Sequence, residues 1–73
     1  MNAEQWLEAY AAKLGTAPPT GAELEALLAL AGVAAHSSER KAAPVACWLV
    51  ARAGVEPERA LRLAKELTDG TDG

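Results

Sequence analysis

Between Lys41 and Arg52 the chain sets ten residues, Ala42–Ala51, without a single charge, and the third of them is Pro44. A stretch that is apolar on every side belongs to a helix with no solvent face. Proline inside such a helix removes a backbone donor and clashes with the preceding turn, so Pro44 is tolerable only in the first turn. The helix must therefore begin near Lys41, and Gly54 is its natural end. A helix of this kind needs other helices around it, and the remaining chain supplies them. Among the apolar residues of the whole chain are eighteen Ala, ten Leu and only four Val, with no Ile or Phe. Ala and Leu favour helices, whereas strands draw on the β-branched and aromatic residues that are scarce here. The prediction is an all-α fold: a compact single domain of four short helices, with helix three (about 41–53) at the centre.

Local signals place the other three helices. Asn2 with Gln5 three residues later forms an approximate capping box for a helix over about 3–14, closed by Gly15. Trp6, Leu7, Tyr10 and Leu14 share one face of it, and the expectation is that Trp6, Tyr10 and, on helix three, Trp48 anchor an Ala-rich core. Pro18 and Pro19 make the following segment a loop. Thr20 with Glu23 is a full capping box for helix two, running to about Ala35 with Leu24, Leu27, Leu28, Ala31 and Ala35 as its stripe. Gly32 inside that helix costs about 1 kcal/mol, which close approach of a neighbouring helix would offset. Ser37, Ser38 and Glu39 form a polar break. Helix four opens with Glu56, Pro57 and Glu58 and turns Ala60, Leu61, Ala64 and Leu67 inward. Residues 1–68 are thus read as the helical domain and 69–73 as a disordered C-terminal tail.

The chemistry available is thin. One Cys (Cys47) and one His (His36) cannot build a disulfide or a structural zinc site. Cys47 falls inside the apolar helix, where a thiol behaves as a small inert hydrophobe. No glycine-rich phosphate loop, catalytic triad or metal cluster is present, so neither an enzyme nor a bound cofactor or metal is expected. No secretory signal is visible, and ten apolar residues are too few to cross a bilayer, so the expectation is a soluble cytoplasmic domain without membrane contact.

Two places could still bind a partner through charge. His36, Arg40 and Lys41 cluster between helices two and three, where the amides opening helix three and the cations would favour an anion or a partner segment. The plainer reading is a helix cap with solvated cations. Helix three, Gly54, Val55 and helix four also resemble a helix-turn-helix, with Arg59 and Arg62 as DNA contacts. Glu56 and Glu58 open that recognition helix, and the net charge is −3, so nucleic acid is not the expected partner. Trp48 becomes the first contact for a partner protein if it is exposed.

Across about residues 6–67 the chain resembles a small actinobacterial family described as a domain of unknown function. The residues that carry this resemblance are Trp6-Leu7, Leu14-Gly15, Ala35-His36, Arg40 and Ala42-Ala43-Pro44. Members of that family occur alone, and also beside or fused to enzymes of molybdopterin-guanine dinucleotide synthesis. The resemblance implies a non-catalytic interaction or accessory module in molybdenum-cofactor maturation, with a molybdenum-cofactor enzyme as protein partner. It also makes His36 and Arg40 the positions most worth mutating. The alternative is a helix-turn-helix DNA-binding protein, and self-association is left open.

Overall fold

The computed structural model describes residues 1–71. Among them the chain is all-helical, one small domain of four helices: α1 (Ala3–Leu14), α2 (Gly21–Ser37), α3 (Ala42–Ala53) and α4 (Pro57–Thr71).

Each boundary has a local cause. At α1 the Asn2 side chain accepts from the Gln5 N–H at 2.8 Å while Gln5 accepts from the Asn2 N–H at 3.0 Å. Thr20 and Glu23 make the same reciprocal pair at the start of α2. Both boxes satisfy amide donors that the helix itself leaves without partners. α1 and α3 end alike. Gly15 and Gly54 adopt left-handed backbone with φ of 79° and 71°, which glycine reaches without a Cβ clash. The next amides, Thr16 and Val55, reach back to the carbonyls of Ala11 and Val50. Pro44 is the third residue of α3, inside the turn where its missing donor costs no helical bond.

The centre of the bundle is α2, and this corrects the expectation of a central helix three. α2 packs against both α3 and α4, and no comparable packing joins α1 to any of the three. The buried residues among those described are Ala11, Ala26, Leu30 and Ala60, with none on α3. Leu30, only 4% exposed, lies where α2, α3 and α4 meet, beside Val33, Ala46, Ala64 and Leu67. The physical reason is symmetry. Residues 26–35 of α2 are as free of charge as 42–51, and their small side chains let one helix approach from each side. Leu28 points away from that packing and is exposed.

Three further expectations change. A Cβ placed on Gly32 would meet nothing within 4 Å, so no neighbouring helix crowds that glycine. Trp6, Tyr10 and Trp48 are each about half exposed and do not anchor the core. Residues 69–71, expected in a disordered tail, belong to α4. Ser37 Oγ and Thr68 Oγ1 lie 3.0 Å apart and tie the last turn of α2 to α4, so the helix continues past Leu67. The remainder of that tail, residues 72 and 73, lies outside the described residues.

Candidate functional site

The junction between α2 and α3 is a tight turn rather than an open cradle. Ala42 and Ala43 donate to the carbonyls of Glu39 and Arg40 at 2.9 and 3.1 Å. The amides that would have faced an anion are therefore already engaged. Lys41 pairs with Glu39 at 3.3 Å, and both side chains are largely exposed, so the pair adds little to stability. His36 lies in the last turn of α2, where a cation would suit the helix dipole, and Arg40 lies in the turn itself. Both are exposed. His36, Arg40 and Lys41 thus lie together at the turn between α2 and α3, and none of them lines the neighbouring recess of Ser37, Ser38 and Ala42.

Arg59 and Arg62 are exposed on α4. Helical spacing sets Glu58 and Glu66 on the same outward face, each four residues from Arg62. Arg59, Arg62 and the exposed Lys65 follow one another at three-residue spacing, with these carboxylates beside them. Cys47 is half-buried on α3, not enclosed as the all-apolar reading of that helix required. No group of three His, Cys, Asp or Glu placed to hold a metal ion occurs among the described residues. Within the same residues no helix is long and apolar enough to cross a membrane.

What the fold does present is uncovered apolar surface. On α3, Val45, Trp48 and Leu49 all face outward, and Trp48 is 57% exposed. Their spacing makes a single stripe, continued one turn later by Arg52. The Arg52 guanidinium sits 5.0 Å from the Trp48 ring centroid, a cation–π contact between two exposed side chains. A second stripe runs along α1. Trp6, Tyr10 and Leu14 recur every four residues and are exposed, with Trp6 and Tyr10 stacked at 5.0 Å between ring centroids. Met1, Ala9 and Lys13 border this patch.

Of these residues only Trp48 was foreseen as a surface contact, and then only if exposed. The missed positions are Trp6, Tyr10, Leu14, Val45 and Leu49. One signal could have found the α3 stripe: Arg52 shares its face with Val45, Trp48 and Leu49, and a cation on a face marks solvent.

The family model described as Domain of unknown function (DUF6457) matches residues 1–72 of the chain. No curated protein and no solved structure matches it.

Proposed function

Since the chain belongs to the DUF6457 family, a domain of unknown function, we propose that it is a non-catalytic interaction module that docks a protein on its exposed apolar faces. The observation that supports this most is the α3 stripe, where Val45, Trp48 and Leu49 are each more than half exposed on a helix with no buried residue. Contiguous apolar surface of this kind marks interaction sites, because leaving it in water forgoes burial energy that a partner recovers. Trp and Arg dominate the strongest contacts of such surfaces, and Trp48 with Arg52 is a pair of that type.

The partner implied by the resemblance is an enzyme of molybdopterin-guanine dinucleotide synthesis, and the module's role is then accessory to molybdenum-cofactor maturation. Titrating that purified enzyme into isotopically labelled domain tests the reading. The expected result is saturable binding with a Kd of about 1 µM or tighter and amide shifts centred on residues 45–52. Shifts confined to residues 36–41 would move the site to the junction, and no binding at about 100 µM enzyme would remove this partner.

A further inference from the structure

The surface of this chain is too large for a helical domain of its size standing alone. It exposes 5652 Å², whereas a globular chain of 7.6 kDa exposes about 4,300 Å². The excess is roughly 1,300 Å² per chain, so two copies that remove it bury roughly 2,600 Å², within the range of obligate homodimers. The molecule is also long, 43 × 22 × 18 Å, and α1 packs far less on the other helices than α3 and α4 pack on α2, meeting the chain near Leu7 and the buried Ala11.

α1 is the least self-sufficient element. A helix of 12 residues is marginal in water without tertiary packing, however well capped. Its stripe of Trp6, Tyr10 and Leu14 has no counterpart in its own chain, and neither has the α3 stripe of Val45, Trp48 and Leu49. Both stripes are on every copy. A two-fold axis that lays the first on the second satisfies both at once, and such an interface closes without forming a filament.

The helix dipoles set the direction: antiparallel packing places the N-terminus of each helix beside the C-terminus of the other, which is the favourable arrangement.

We propose that the occupant of these faces is a second copy of this chain, in a two-fold dimer where α1 of each copy lies antiparallel across α3 of the other. This rests on the reading of the domain as an interaction module and names the partner at the same surface. An enzyme then reaches residues 45–52 only by displacing the second copy.

Sedimentation equilibrium of the full chain across a dilution series tests it, with Trp6→Glu, Trp48→Glu and Leu28→Glu alongside. Leu28 is an exposed residue on the solvent side of α2, outside both stripes. Wild type and Leu28→Glu should show twice the 7.6 kDa chain mass. Each Trp variant should raise the dimer Kd about 30-fold or more. The two variants alter different helices, and circular dichroism reports whether each still folds. Wild type that stays monomeric at about 100 µM overturns the dimer, and the interaction reading then stands or falls on the enzyme titration alone. A dimer that persists undiminished in both Trp variants overturns the interface. A dimer that binds no enzyme keeps this inference and removes the enzyme partner from the earlier one.

Discussion

Replacing Leu30 by Ala should cost more stability than any other single truncation in this chain. Leu30 is 4% exposed and is the one large side chain among the buried residues of the described chain, the others being Ala, at the meeting of α2, α3 and α4. Leu-to-Ala changes in cores cost about 2–5 kcal/mol, the spread being set by how empty the space left behind stays. Here Leu30 borders a recess with Val33, Ala46 and Leu67 that water can enter, so the lower half applies, about 2–3 kcal/mol. A domain of this size has roughly 3–5 kcal/mol in total. Urea unfolding followed by circular dichroism should therefore show the midpoint falling by about half with an unchanged slope. Trp48→Ala is the contrast. A core position would cost about 3–5 kcal/mol, but at 57% exposure the loss in the dissociated chain should be under about 1 kcal/mol. If Trp48→Ala proves the more damaging in single chains, α3 is the centre and the packing described above is wrong.

Gly32→Ala should stabilise the domain by about 1 kcal/mol, because the added methyl meets nothing and the helix gains propensity; a loss in the same urea titration would reveal a crowding neighbour. Thr20→Ala removes one half of the α2 capping box and should cost about 1 kcal/mol, with Thr20→Ser close to wild type. Mixed-sequence duplex DNA should bind no more tightly than about 10⁻⁵ M at physiological salt, since Glu58 and Glu66 stand beside Arg59 and Arg62 on α4. Fluorescence anisotropy reports this, and nanomolar binding that weakens steeply with salt would restore the helix-turn-helix reading.

Helix limits were legible because their causes lie within a few residues of one another. Asn2 with Gln5, Thr20 with Glu23, the two left-handed glycines and Pro44 act on the chain wherever it sits in space. The arrangement of the helices was not legible in the same way. Residues 26–35 and 42–51 are both apolar on every side, so neither offers a polar face that fixes which one is enclosed. Trp and Val in the second stretch suggested the core, yet small residues in the first are what admit two neighbours. The α1 stripe at Trp6, Tyr10 and Leu14 was visible as a stripe. What it faces depends on the loop of residues 15–20, whose local chemistry stops α1 without directing it onto α2. The junction residues His36, Arg40 and Lys41 are neighbours in the sequence itself. The engagement of the Ala42 and Ala43 amides by Glu39 and Arg40 depends on turn geometry that composition does not reveal.

Amide hydrogen exchange on wild type and Trp48→Glu tests the central claim most directly: α2 is the core, and α1 is held by the α3 face of another copy. The account predicts slowest exchange around Ala26 and Leu30 in both proteins. It also predicts that α1 amides exchange much faster in the variant, although α1 is not packed on α3 within one chain. Unchanged α1 exchange in Trp48→Glu, or α3 amides slower than those of α2, would contradict it.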